Sequence, residues 1–443
     1  MTSARSPQAP RSPRASQAPH VPRPAGPPAP ATDHLVPGDL VPAAVRDVAA
    51  AAAPDELPAY VYDLAGLRAH VAGVRGALPE GVELYYAAKA NPERAVLAEL
   101  ARPAGGVDGF EVASAGELAH VRAAVPGQPV AFGGPGKTPG EIARALAAGT
   151  DRFHVESLHE LRLLTAEADR QRRTADILLR VNLPVAGVTL SGAPLAMGGG
   201  PGPFGLDPAG FHACLAHLAA LGPGARVRAR GVHAHLASGL DAAGLAALAG
   251  EIVTFATGPA RAAGLPVEEV DVGGGMAVDY GDPAARFDWR GYGAALGRLL
   301  DRHPGLTLRI EPGRALTAYC GWYVTEVLDV KSAHGEEFAV LRGGTHHLRT
   351  PAAKGHDQPF AVLPREHWPH PWPRPATRGP AGLVGQLCTP KDVLARRMPL
   401  PAGGLRAGDR VAFAMAGAYA WNISHHEFLM HPAPRFHFVG GRG

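Results

Sequence analysis

Eight short runs rich in Val, Leu, Phe and Tyr recur along one stretch of the chain, at 82–88, 107–113, 129–133, 152–156, 176–183, 227–236, 267–273 and 307–311. Each is followed by a segment of helical length with apolar residues three and four apart, as from Ile142 to Ala148, Leu158 to Ala168 and Phe211 to Leu221. Strands separated by helices return to the sheet in the same direction, so the alternation demands parallel pairing. Eight such units in about 250 residues is the count and length of a (β/α)8 barrel. An open doubly wound sheet is the simpler alternative.

The rhythm stops after Glu311. Residues 316–443 carry β-rich runs (Tyr323 to Val330, Phe338 to Leu341, Gly382 to Leu387, Arg410 to Ala414) around a Pro/His-rich stretch at 364–380, which predicts a second, β-sheet domain. The predicted division is a tail at 1–34, an N-terminal segment at 35–62, a barrel at 63–315 and a β domain at 316–443. Tyr60-Val61-Tyr62 is strand-like and is expected to pair with the β domain. The tail has nine prolines in its first thirty positions and no acid before Asp33, a composition that builds no core.

Composition excludes several classes of function. At 443 residues, 46% hydrophobic and net charge +3, the chain has enough apolar residues for large cores and no basic cluster interleaved with aromatics, so nucleic acid is not an expected partner. Cys214, Cys320 and Cys388 are far apart and match no metal spacing, which points to a reducing, cytoplasmic setting. Alanine-rich stretches such as 242–249 are broken by charge or glycine, so no membrane span is expected, and no apolar leader stands near Met1.

Chemistry in such a barrel gathers where strands end at the C-terminal face. Lys89, in Tyr85-Tyr-Ala-Ala-Lys-Ala-Asn-Pro92, ends the first strand and is one of only five lysines among 43 basic residues. It can simply reach for solvent. Alternatively its apolar neighbours desolvate the ammonium and lower its pKa, as a Schiff-base lysine requires. Gly273, Gly274 and Gly275 close the seventh strand, either as a plain turn or as backbone N–H groups open to an anion. Glu311 and Arg314, at the end of the eighth, are a surface ion pair or an acid for a pyridine nitrogen with an arginine for a phosphate or carboxylate. His233 and His235 share a face of the sixth strand, yet no third metal ligand has an evident place nearby in sequence, so no metal is expected. A stacking imidazole at His235, with Ser238 reaching the phosphate, is preferred.

These positions resemble the fold-type III pyridoxal-phosphate decarboxylases, which include diaminopimelate, ornithine and arginine decarboxylases and share the alanine-racemase-like barrel. The motifs are YYAAKAN, GFEVASAGEL (109–118), LLRVNL (178–183), GVHAHLAS (231–238), DVGGG (271–275), EPGRALTA (311–318), GQLCTPKD (385–392) and GAYAWN (417–422). The resemblance implies pyridoxal 5'-phosphate joined to Lys89, His235 stacked on its ring and Glu311 on the ring nitrogen. It also implies Arg180 under the cofactor, with Ser238, Gly273 to Gly275, Arg314 and Tyr419 around the phosphate. Cys388, by itself more often a buried hydrophobe, matches the cysteine that family members lend across a homodimer interface to return a proton to the substrate carbon.

Departures from the pattern bear on the substrate. Relatives that make simple diamines place an acid directly after the catalytic cysteine to pair with a distal amine, and here that position is Thr389. Arg349 is the nearest match to a substrate-binding arginine, without the tyrosine that usually follows it. Gly343-Gly-Thr-His-His-Leu-Arg349 and the histidine-rich 423–432 resemble the branch that serves carboxylate siderophore assembly, where extra His and Arg suit a polyanionic, citryl-type substrate, although a His-rich surface loop reads the same way. The expected activity is decarboxylation of an acylated diamino acid. The alternatives are a diaminopimelate decarboxylase of lysine biosynthesis, a silent cofactor-binding regulator, and more weakly a racemase.

Overall fold

A computed structural model describes residues 35–184 and 195–441; the tail expected at 1–34 lies outside the described residues. The first strand, β1 (Ala59–Asp63), precedes the barrel. Then come β2 (Val82–Ala87), β3 (Gly109–Val112), β4 (Val130–Phe132), β5 (Arg152–Val155) and β6 (Ala175–Arg180). A two-residue strand, β7 (Leu195–Ala196), pairs antiparallel with β9 (Ala237–Ser238). Between and beyond them lie β8 (Val227–His233), β10 (Glu269–Asp271) and β11 (Thr307–Ile310). Eight of these strands close a barrel in the order β10-β11-β2-β3-β4-β5-β6-β8, each pair parallel.

Local chemistry explains the alternation. Barrel strands bury both faces, one inside and one under the helices, so β2 and β6 are buried throughout except for the half-buried Glu83 and Asp176. Phe110, Phe132 and Phe153, from three successive strands, are at most 1% exposed; truncating one to alanine costs about 3–5 kcal/mol. Ser114, Thr138 and Ser157 then start the next helices, each accepting a hydrogen bond from the N–H three residues on. The segment Ala242–Ala260 has the length and mean hydropathy of a membrane span. Here it is a barrel helix whose Leu245, Leu248, Ile252 and Val253 are buried in the core.

The second sheet comprises β12 (Gly321–Ala333), β13 (Glu336–Leu341), β14 (Phe360–Leu363), β15 (Ala381–Val384), β16 (Val393–Met398), β17 (Arg410–Phe413) and β18 (Arg435–Val439). Its order is β14-β17-β12-β13-β15-β16, and β1 joins it, antiparallel to β12 and parallel to β18. The helix Ala43–Ala51 puts Val45 and Ala49 in one core with Val61, Trp322, Val324 and Ala412.

Candidate active site

β2 hands the chain to a single turn, Ala88–Ala90, with Lys89 at its centre and buried alanines on either side. The C-terminal region clamps this turn: Asn422 Nδ2 donates to the Lys89 carbonyl at 2.7 Å and the Tyr419 N–H to the Ala90 carbonyl at 2.7 Å. Lys89 Nζ meets Glu111 Oε2 at 2.6 Å, a contact set by the register that puts Ala87 opposite Glu111. The lysine opens onto a cavity, yet protein crowds round it. Burial pushes the ammonium down, but Glu111, Tyr419 and Glu311 outweigh it and the net direction is up. The expected fall in pKa is therefore corrected: desolvation acts, and a carboxylate on the neighbouring strand overrides it. Burial holds Glu111 itself above the usual carboxylate range, with the Lys89 ammonium opposing that.

Glu311 follows β11 and is buried. His233 Nε2 lies 3.3 Å from its Oε2, and His154 Nδ1 lies 3.9 Å from its Oε1. His154 and His233 stack at 4.0 Å, and His154 Nε2 is 3.7 Å from Asp271 Oδ2. Burial would raise the Glu311 carboxyl, but His154, His233 and Lys89 bring it well below its ordinary value. Asp271 goes the other way, pushed up by burial and by Glu311 beside it, and burial moves both imidazoles below their ordinary value. Ligand atoms of these four residues all lie within 4.8 Å of one another. The third ligand that sequence spacing failed to place is thus supplied by other strands. Within this cluster Glu311 is the ionised group, and its Oε1 is buried without a hydrogen-bond partner. An unpartnered carboxylate oxygen at a cavity wall fits a protonated pyridine nitrogen.

The Gly274 N–H donates to His235 Nδ1 at 3.0 Å, which leaves the proton of the neutral ring on Nε2. Burial, Lys89 and Arg180 hold His235 down to about 3, so it stays an uncharged plate at any working pH. The three glycines are needed for close approach: a Cβ on Gly273 would meet His235, one on Gly274 the Glu311 carbonyl, and one on Gly275 the Ala237 carbonyl. Arg314 Nη1 donates to Tyr280 Oη at 2.6 Å, and its guanidinium lies 4.6 Å from the Tyr419 ring. Arg180 pairs with buried Glu156 at 2.7 Å and lies over Phe204.

Lys89, Arg180, His235, Ser238, Gly275, Glu311, Arg314 and Tyr419 line one cavity of about 460 Å³, with Gly273 and Gly274 packed behind its wall. Cys388, Thr389 and Arg349 do not line it. Cys388 is exposed, Thr389 is half-buried in the same loop, and the Arg349 N–H donates to Ser424 Oγ at 3.1 Å with its side chain exposed. The acid of that loop, Asp392, is buried and accepts from the N–H groups of Thr345 and Leu387. His346 and His347 are also corrected: both are buried, and burial holds them down to about 4 and about 3, so neither is a cation for an anionic substrate at neutral pH. Sequence reasoning left Glu111, His154, Glu156, Asp271 and Lys354 without roles. The signal for Glu111 is a lone polar residue inside a four-residue apolar strand, and for His154 a polar residue between the apolar Phe153 and Val155.

Such a site, a lysine amine at a parallel barrel's mouth with acids on the two neighbouring strands, defines a class. The family model "Pyridoxal-dependent decarboxylase, pyridoxal binding domain" matches residues 64–318. The chain belongs to the pyridoxal-dependent decarboxylases, and its cofactor is pyridoxal 5'-phosphate. It is 38% identical to the 2-[(L-alanin-3-ylcarbamoyl)methyl]-2-hydroxybutanedioate decarboxylase of Staphylococcus aureus, over 86% of this chain and 93% of that one. It is 32% identical to the diaminopimelate decarboxylase of Vibrio cholerae, over 83% and 84%. The fold matches the crystal structure of Helicobacter pylori diaminopimelate decarboxylase with a TM-score of 0.75 at 23% identity, over 90% and 94% of the two chains.

Proposed function

We propose that this decarboxylase acts on the α-amino acid end of a citryl-type amide of a diamino acid, a step of carboxylate siderophore assembly. The similarity over nearly the whole chain to the Staphylococcus aureus enzyme, whose substrate bears a hydroxybutanedioate group, carries the reading. The cavity agrees with it. Its acids are committed, Glu111 to Lys89 and Glu311 to His233 and, through its unpartnered oxygen, to the ring nitrogen, so no further cavity carboxylate awaits a distal amine among the described residues. Diaminopimelate decarboxylation is the second reading, favoured by the Vibrio cholerae relative.

When bound, the cofactor supplies an aldehyde that condenses with amines and a pyridinium ring that accepts the electron pair released as the Cα–carboxylate bond breaks. The chain's residues supply the rest. Glu111 positions Lys89 Nζ at the cavity, and the lysine is the nucleophile once its ammonium has given up a proton. Ionised Glu311 keeps a proton on the ring nitrogen, and neutral His235 offers its face without competing for that proton. Ser238, Arg314 and the Gly275 backbone would bind the phosphate, with Tyr419 lining the same cavity, whereas the Gly273 and Gly274 N–H groups are spent on Asp271 Oδ1 and His235 Nδ1. Cys388 of a second copy of the chain, or Lys89, returns a proton to Cα; the working form is a homodimer in the cytoplasm. The test is incubation of the cofactor-loaded protein with the citryl amide of 2,3-diaminopropionate, meso-diaminopimelate and free diamino acids, with CO2 and amine read by mass spectrometry. Turnover of meso-diaminopimelate alone would establish the second reading instead. A protein that takes up cofactor and releases no CO2 from any of them would be a regulator.

A further inference from the structure

Among the described residues, four Lys and Arg side chains line the cavity: Lys89, Arg180, Arg314 and Lys354. Lys89 is paired with Glu111 and Arg180 with Glu156, at 2.6 and 2.7 Å. Arg314 is bound to the Tyr280 hydroxyl and flanked by the Tyr419 ring. Lys354 is different. It ends the short helix Thr350–Lys354, which Gly355 terminates in the left-handed conformation, and its side chain is exposed and makes no ion pair to a carboxylate among the described residues. Its helix belongs to the second-sheet part of the chain, as does Ile423, another lining residue, whereas Lys89 and Glu311 come from the barrel.

We propose that Lys354 is a specificity-determining residue that binds a carboxylate at the end of the substrate remote from its α-amine. The inference rests on the reading above that the substrate carries an anionic acyl group. The α-amine must reach the aldehyde carbon that Lys89 holds, and Arg314, which also lacks a carboxylate partner, is assigned to the phosphate, so the acyl end occupies the remaining cavity, where Lys354 is the cation left for it among the described residues. An ammonium on a flexible stem at a cavity wall can follow a carboxylate without matching a fixed fork geometry. A substrate ending in an amine meets like charge there and is disfavoured, which is selection by repulsion as well as attraction.

The experiment uses the cofactor-loaded enzyme and citrate, a tricarboxylate with no amine to react. Citrate affinity is read by calorimetry for wild type, Lys354→Met, Lys354→Arg and Lys331→Met, the last an exposed lysine on β12. The expected result for Lys354→Met is at least a tenfold rise in citrate Kd and in KM for the citryl amide, with kcat within threefold. Lys354→Arg should stay within threefold of wild type and Lys331→Met unchanged. Citrate Kd and KM within twofold of wild type in Lys354→Met would overturn the proposal, as would no saturable citrate binding by wild type. A Lys354→Met protein that loses affinity for pyridoxal phosphate itself would assign the lysine to the cofactor, also overturning it. If wild type decarboxylates meso-diaminopimelate and not the citryl amide, the functional reading fails, while citrate titration still reports on Lys354 as an anion subsite.

Discussion

Gly274→Ala tests how the cofactor site is built, because this glycine is required by packing alone. A methyl group there would sit 2.4 Å from the Glu311 carbonyl oxygen and 3.1 Å from its carbon, where ordinary contact begins at 3.4 Å. Both opposing atoms are backbone, so no side chain can turn aside. The loop after β10 and the end of β11 must part by about 1 Å, straining the Glu311 N–H to Gly273 carbonyl bond (2.9 Å) and the Gly274 N–H to His235 Nδ1 bond (3.0 Å). Overpacking of this kind costs about 1–3 kcal/mol, and a 1 Å displacement of aligned groups costs about 100-fold in rate. The expected outcome is a cofactor Kd at least about tenfold weaker, with an unchanged far-ultraviolet circular dichroism spectrum and kcat/KM lowered about 100-fold. Gly250→Ala is the control: its Cβ meets nothing within 4 Å inside the helix Ala242–Phe255, so it should be neutral or slightly stabilising. A folded Gly274→Ala protein that binds the cofactor within twofold of wild type would refute the packing argument.

Lys89→Ala should leave no pyridoxyl adduct on any tryptic peptide after borohydride reduction and should lower turnover by at least about 100-fold; an adduct on another lysine would move the site. The apoprotein should lose stability as pH falls from 6.5 to 4. The folded pKa of His346, about 4, is depressed below its unfolded value, so the unfolded chain binds more protons in that window, and the loss at pH 4 is about 3 kcal/mol. Urea midpoints measured between pH 7 and 4.5 in wild type and His346→Asn check this, and a wild-type profile no steeper than the variant's counts against it. An equimolar mixture of Lys89→Ala and Cys388→Ser chains, unfolded and reassembled together, should recover about a quarter of wild-type activity if each site takes Cys388 from a second copy. No recovery would place the proton donor within the same chain.

What could be read from the linear chain was whatever neighbouring residues decide among themselves. Continuous apolar runs such as Leu84 to Ala87 and Ile177 to Leu179, and helix-starting Ser114, Thr138 and Ser157 after other strands, announce strand and helix through contacts only a few residues long, and eight repeats leave few closures. The position of Lys89 just past a strand is local in the same sense. Its charge state is not. The direction of its pKa depends on Glu111 across β3 and Glu311 across β11, and the register of a closed barrel sets those distances. The cluster of His154, His233, Asp271 and Glu311 likewise draws on four strands spread over more than 150 positions, so no spacing rule could gather it. Only the tertiary structure buried His346 and His347 until they lost their charge and left Lys354 facing the cavity without a carboxylate partner. Electrostatic energy follows distance through space, and closing the barrel converts remote positions along the chain into contacts of a few ångströms.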